Sequence, residues 1–239
     1  VSEINGVPSL VNQTPSLSLR SENVTTIASE SAQGGLGHHH SRPSTTLDGM
    51  MIAHESLNNG LNQIVLVNKS AGTSSTITTP TGGGLPNGSS YAPVISSNGE
   101  FVVFHSHASN LVPNDTNGHV DVFRYEVFND RLTRLSLGAN GEEGNGGSFY
   151  PVVSEDGSKV ALESHATNLD PNVSTSGKQI FVWTESNDSS LTTGTIAAIT
   201  NGNGDSFDTS MSDDGNRLVF TTYATDLVVG ESDANGHSD

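Results

Sequence analysis

Two loops of the chain carry acidic and amide side chains at a spacing that suits a hard cation. The first loop contributes Asp115, Asn117 and Asp121. The same pattern recurs near the end of the chain as Asp233, Asn235 and Asp239. In both loops a glycine stands three residues after the first aspartate, so short oxygen-bearing side chains alternate around a turn. Calcium takes about six to eight oxygen ligands from loops of this kind, and the pattern therefore predicts calcium at these residues.

A purely structural role is the alternative for the same residues. Aspartate and asparagine side chains also fold back onto their own backbone in long hairpin loops. The bidentate glutamate that ends an EF-hand loop is missing here. The corresponding loop of the next repeat keeps only Asp170 and Asn172, and we expect it to have lost the site.

Histidine supplies a second group of candidates for metal binding or catalysis. The run from His38 to His40 lies in a glycine-rich connection without a nearby carboxylate, which favours a solvated loop over a zinc or nickel site. His107 and His165 occupy equivalent positions in two copies of an internal repeat, and Tyr223 takes that position in another copy. A repeated position indicates a structural role in each copy, with a metal shared along a central channel as the alternative.

No sequence motif assigns a reaction to the chain. It contains no Gly-x-Ser-x-Gly elbow, no His-Glu-x-x-His pair, no phosphate loop and no dinucleotide fingerprint. Adjacent carboxylates occur at Glu142–Glu143 and Asp213–Asp214. Such pairs, or His107 and His165 in a channel, keep a carbohydrate-degrading enzyme open as an alternative to a binding protein.

Charge and composition limit the partners of the protein. The 239 residues include 9 Lys and Arg against 26 Asp and Glu, which gives a formal net charge of −17. Nucleic acid is excluded as a partner, because its binding requires basic residues that neutralise phosphates. No apolar run approaches the length of a membrane-spanning helix, so membrane insertion is not expected. The acidic, lysine-poor composition favours an extracellular or periplasmic location, whereas the absence of cysteine does not fix the compartment.

An internal repeat predicts the fold class. Turn glycines recur at Gly49, Gly99, Gly157 and Gly215, with spacings of 50, 58 and 58 residues. Each copy resolves into four short strands, of which the first two are joined by an Asn-Gly or Asp-Gly turn, and no segment has a helical period. Four-stranded antiparallel units repeated in this way predict an all-β β-propeller of about four blades, with a β-sandwich as the alternative.

The best copy runs from Ser106 to Phe123 as SHASNLVPNDTNGHVDVF. It resembles the WD-like repeat of TolB-type propellers in bacterial envelope and secreted proteins. The resemblance covers about residues 40 to 239. It implies a propeller and a binding or scaffold role, without implying catalysis.

The boundaries of the repeat predict how one propeller domain over residues 1–239 is divided. We expect a half-blade at 16–29, blades at about 36–80, 88–137 and 146–200, and a second half-blade at 205–239. The two half-blades could pair and close a four-bladed ring, or the chain could be part of a larger propeller.

The predicted function is a non-enzymatic module with a binding, adhesion or structural role and calcium-stabilised loops. Its partner would be a protein or a polysaccharide. The alternatives are a hydrolytic enzyme and a subunit that self-associates into filaments through its edge strands.

Overall fold

The computed structural model describes the backbone of residues 18–21 and 24–27, and all atoms of residues 43–186 and 194–227. In these residues the regular elements are β-strands, together with one 3₁₀ turn at Ala139–Gly141. None of the described residues forms a helix long and apolar enough to cross a membrane. The prediction of an all-β chain is confirmed.

Three sheets have four antiparallel strands each, in the order of the sequence. The first blade consists of β3 (Ser44–Thr45), β4 (Met51–Asn58), β5 (Leu61–Asn68) and β6 (Thr73–Thr76). The second consists of β7 (Ser90–Ile95), β8 (Phe101–Ser106), β9 (Asp121–Glu126) and β10 (Arg131–Arg134). The third consists of β11 (Ser148–Val153), β12 (Lys159–Ser164), β13 (Gln179–Thr184) and β14 (Thr195–Ala198).

Two further sheets have two strands each. β15 (Ser206–Met211) pairs with β16 (Leu218–Thr222) and repeats the first two strands of a blade. Near the start of the chain, β1 (Ser18–Ser21) pairs with β2 (Val24–Ile27). Within the described residues these two hairpins belong to separate sheets. Closure of a ring by their pairing therefore stays a prediction.

The apolar core lies between successive blades. One cluster joins residues of the first and second blades around Ile64, Phe104 and Phe123. Another joins the second and third blades around Val122 and Phe181. Central strands such as β8 are buried on both faces because each blade packs against one neighbour on each side.

Candidate functional site

A β-bulge interrupts the innermost strand of three successive blades. The register shifts within β7, β11 and β15, at Tyr91/Val94, Phe149/Val152 and Phe207/Ser210. In each bulge one residue has positive φ: 52° at Ala92, 47° at Tyr150 and 54° at Asp208. A bulge frees a backbone N–H from the ladder and turns it out of the strand. All three residues line one cavity between the innermost strands.

The freed N–H groups bond to the preceding blade. The N–H of Ala92 donates to Glu55 Oε1 at 2.9 Å, and that of Asp208 donates to Glu163 Oε1 at 2.7 Å. Between them, the N–H of Tyr150 lies 3.4 Å from Nδ1 of His105. Glu55, His105 and Glu163 each stand six residues after the turn glycine of their blade. The repeat therefore supplies one hydrogen-bond acceptor per blade, and each acceptor binds a backbone N–H of the next blade.

A cavity of about 220 Å³ opens where β7, β11 and β15 meet. The second blade contributes apolar residues to this channel cavity. Its polar and aromatic lining comes from the third blade and the β15–β16 sheet and consists of Tyr150, Glu163, Lys178, Phe207, Asp208 and Thr209. Glu163 is buried, and its second oxygen accepts a hydrogen bond of 2.7 Å from Lys178 Nζ. The Lys178 ammonium also lies 5.2 Å from the centre of the Phe207 ring. The cavity thus combines ring faces with a paired carboxylate and ammonium.

A pair of contacting rings recurs in three successive sheets. An aromatic residue of the innermost strand meets the residue eight positions after the turn glycine, in the pairs Tyr91–His107, Phe149–His165 and Phe207–Tyr223 at centroid distances of 5.9, 6.3 and 5.2 Å. The predicted structural role of His107 and His165 is therefore a ring contact within each blade. The part of the chain that the structure describes contains no group of three His, Asp or Glu arranged to hold a metal ion.

The predicted calcium loop of the second blade surrounds an arginine. Nη1 of Arg134 lies 3.0 Å from Asp115 Oδ1, 3.5 Å from Asp121 Oδ2 and 2.9 Å from Glu143 Oε1. Nδ2 of Asn117 donates to Asp121 Oδ2 at 3.3 Å. The structure thus brings the three predicted residues together, and it adds Glu143 and Arg134. The guanidinium occupies the centre where the spacing of the loop predicts calcium.

Asp121 has a structural counterpart in the other blades. It stands opposite Ser106 in the ladder, where Gln179 stands opposite Ser164 and Gln63 opposite Ser56. All three side chains are buried. Since a neutral glutamine serves in two of three blades, the position itself does not require a charge.

The remaining predicted site residues fall into two groups. In the third blade, Oδ2 of Asp170 accepts a 2.9 Å hydrogen bond from the N–H of Ala198, and Oδ1 accepts one from the N–H of Asn172. This aspartate connects its loop to the outer strand β14, and the expected loss of a metal site here stays a prediction. Asp233, Asn235, Asp239 and the run from His38 to His40 lie outside the described residues.

The arginine-centred cluster perturbs its carboxyl groups in opposite directions. Burial, with repulsion from Asp121, raises the pKa of Asp115 to about 6 although Arg134 opposes the shift. Burial likewise raises the pKa of Asp121. Hydrogen bonds from the side chain and backbone of Thr116 lower the pKa of Glu143 to about 2. Three carboxylates around one guanidinium leave an excess of negative charge. This excess, together with burial, raises the pKa of Asp115.

A buried arginine between the second and third blades was not predicted from the sequence. The guanidinium of Arg124 is sandwiched between the rings of Phe101 and Trp183, at 4.8 and 4.6 Å. Its Nη1 donates to the carbonyl of Gly157 at 2.7 Å. Its Nη2 contacts two carboxylates, Glu126 and Glu185. No short motif marks this residue, because its partners come from two blades.

Solved structures show the same fold at low sequence identity. TolB from Acinetobacter baumannii is 17% identical, with a TM-score of 0.51 over 91% of this chain and 49% of that one. A putative TolB from Agrobacterium tumefaciens is 22% identical, with a TM-score of 0.51 over 89% of this chain and 67% of that one. The β-propeller domain of the trilobed protease from Pyrococcus furiosus, described as having an open velcro topology, is 9% identical with a TM-score of 0.50. That match covers 91% of this chain and 57% of that one.

No protein-family model and no curated protein sequence matches the chain. The chain spans about half the length of the Acinetobacter TolB structure. At these identities the similarity establishes the architecture and leaves the activity open. The chain therefore has the β-propeller fold of the TolB-like structures, as its repeat predicts.

Proposed function

We propose that the chain is a non-enzymatic propeller module that binds a protein or polysaccharide partner outside the cytoplasm, in the periplasm or at the cell surface. The observation that carries this proposal is that both oxygens of Glu163, the buried carboxylate of the channel cavity, already accept hydrogen bonds. One of its oxygens accepts the N–H of Asp208 and the other accepts Lys178. A carboxylate held in this way joins blades and shapes a binding cavity, and it has little capacity left to accept a substrate proton.

A hydrolytic enzyme is the second candidate, because two carboxylates line one cavity. Glu163 and Asp208 both face the channel, and glycoside hydrolysis requires two carboxyl groups flanking a bond. Protease propellers such as the Pyrococcus furiosus domain also occur among the structures with this fold. The engagement of both Glu163 oxygens favours binding over this alternative.

Co-sedimentation with a bacterial envelope fraction, followed by analysis of the supernatant, separates the two candidates. A binding module should sediment with the envelope and release neither reducing sugar ends nor peptides during prolonged incubation. A hydrolase should release products in amounts that grow with time. Glu163→Gln should abolish that release if the carboxylate is catalytic. Product release by the parent chain would overturn the proposal, as would failure of the chain to sediment with any envelope component.

We also propose that calcium binds at the loop of Asp115, Asn117 and Asp121. Two features support it: the excess of negative charge around Arg134, and Asp115 Oδ1, which is buried and receives no hydrogen bond of good geometry. Calcium that binds the folded chain should raise the melting temperature, and a chelator should lower it again. Asp115→Ala should remove this response. An unchanged melting curve in calcium and in chelator would show that Arg134 alone balances the loop.

We propose self-association through edge strands as an alternative to closure of the ring within one chain. β15 and β16 form a two-stranded sheet, and β1 and β2 form another, so both have unpaired edges within the described residues. Pairing within one chain closes a ring, whereas the same pairing between chains builds a filament. We favour closure within the chain, because tethered ends have a high effective concentration. Deletion of residues 1–29 should make a monomeric parent unstable, and fibres formed by the parent and lost on deletion would reverse the preference.

A further inference from the structure

Two aromatic side chains that line the channel cavity, Tyr150 and Phe207, contact further rings. Tyr150 is 45% exposed at the cavity wall. The ring of His105 meets its ring at 5.2 Å and 75°, and the ring of Phe149 lies 6.2 Å away. Phe207 lines the same cavity and contacts Tyr223. The exposed part of the Tyr150 side chain borders the cavity, which suits a ligand that has a flat apolar side.

The charges of the cavity disfavour an anionic ligand. Two carboxylates, Glu163 and Asp208, stand beside one ammonium, Lys178, which is already paired with Glu163. A neutral ligand meets no such repulsion. If it carries hydroxyl groups, it can donate to the exposed carboxylate of Asp208 and accept from Lys178.

A further polar atom of the cavity wall has no partner among the described residues. The hydroxyl of Thr209 is buried and makes no hydrogen bond. Buried polar atoms in folded proteins are almost always paired, and an orphan at a cavity wall indicates a bond completed by a ligand or by water. The volume of about 220 Å³ is large enough for one small ring.

We propose that this cavity binds one neutral hexose residue of a polysaccharide. The apolar face of the sugar lies against Tyr150, and its hydroxyl groups bond to Asp208, Lys178 and Thr209. This assignment rests on the proposed binding function and names the class of its ligand.

Titration calorimetry with short oligosaccharides tests the assignment. The neutral probes are maltohexaose, cellohexaose and mannohexaose, and hexagalacturonate and hexalysine serve as the anionic and cationic probes. At least one neutral probe should bind, and Tyr150→Ala should weaken that binding by about tenfold or more. Phe128→Ala is the matched control, because this aromatic side chain is 92% exposed in the β9–β10 turn and outside the cavity lining. It should leave the affinity unchanged.

Asp208→Asn provides a second variant that keeps the backbone bond to Glu163 and tolerates the positive φ of the bulge. It should weaken binding of a neutral probe only severalfold, since an amide still accepts a hydrogen bond. The proposal is overturned by tighter binding of hexalysine or hexagalacturonate, by binding that survives Tyr150→Ala in a folded variant, or by no binding of any neutral probe. If envelope co-sedimentation persists while the neutral probes fail, the binding module stands and its ligand is of another class.

Discussion

Replacing Arg124 by methionine removes the guanidinium that joins the second and third blades. Methionine keeps an unbranched apolar stem, so the substitution tests the charged group with little loss of packing. The two rings that sandwich Arg124 and the carbonyl of Gly157 lose their partner. The two carboxylates that contact Arg124 do not lose all their partners. Glu126 keeps its contacts with Arg131 and Asn129, and Glu185 is 41% exposed to water.

The cost of this change follows from the contacts that have no replacement. A desolvated cation–π contact contributes about 2 kcal/mol. A buried carbonyl left without a donor costs about 1–3 kcal/mol. Since the carboxylates can be satisfied by other groups, we expect a loss of about 3–4 kcal/mol in the free energy of unfolding. For a domain of this size that corresponds to a fall of about 10 °C in melting temperature.

Thermal unfolding followed by circular dichroism measures this loss, with Arg131→Met as the matched control. Arg131 pairs with the same Glu126, but its side chain is 53% exposed. Exposed ion pairs contribute about 0.2–1 kcal/mol, so the control should melt within a few degrees of the parent. Equal melting temperatures for the two variants would refute the idea that Arg124 joins the blades.

Two further predictions concern a turn and the arginine-centred cluster. Gly157 has a φ of +70°, and a Cβ there would lie 2.1 Å from the Phe101 ring, so Gly157→Ala should cost about 3 kcal/mol in urea unfolding. Gly118→Ala, with a similar φ of +68° and open space around it, should cost only about 1 kcal/mol. Because burial and Asp121 raise the pKa of Asp115 from 3.8 to about 6, its protonation stabilises the fold below about pH 6 and this gain is lost above it. Lowering the pH from 7.5 to 5 should therefore stabilise the parent relative to Asp115→Asn, and a gap independent of pH would contradict the shift.

The repeat frame was predictable because turns have local causes. Gly49, Gly99, Gly157 and Gly215 all have positive φ, between 64° and 79°, as tight turns of this kind require. Residue types at these positions therefore identify the first two strands of each copy. The acceptors of the inter-blade bonds could have been found by counting six residues from each glycine.

The bulges and the arginines were not predictable in this way. Ala92, Tyr150 and Asp208 share a backbone conformation but no side-chain chemistry, because contact with the neighbouring blade determines that conformation. Arg134 is thirteen residues beyond Asp121, on the edge strand β10, and the spacing of a loop gives no sign of it. A pattern of alternating oxygen ligands predicts a cation, and it does not distinguish a metal ion from a guanidinium.

The claim that the channel cavity binds a ligand without cleaving it is tested most directly by following one sample for both properties. The chain is incubated with the neutral oligosaccharide that binds most tightly, and bound ligand and new reducing ends are measured over time. We expect saturable binding that Tyr150→Ala weakens and Phe128→Ala leaves intact, with the oligosaccharide recovered at its original length. Shorter oligosaccharides that accumulate with the parent chain and disappear with Glu163→Gln would contradict the account.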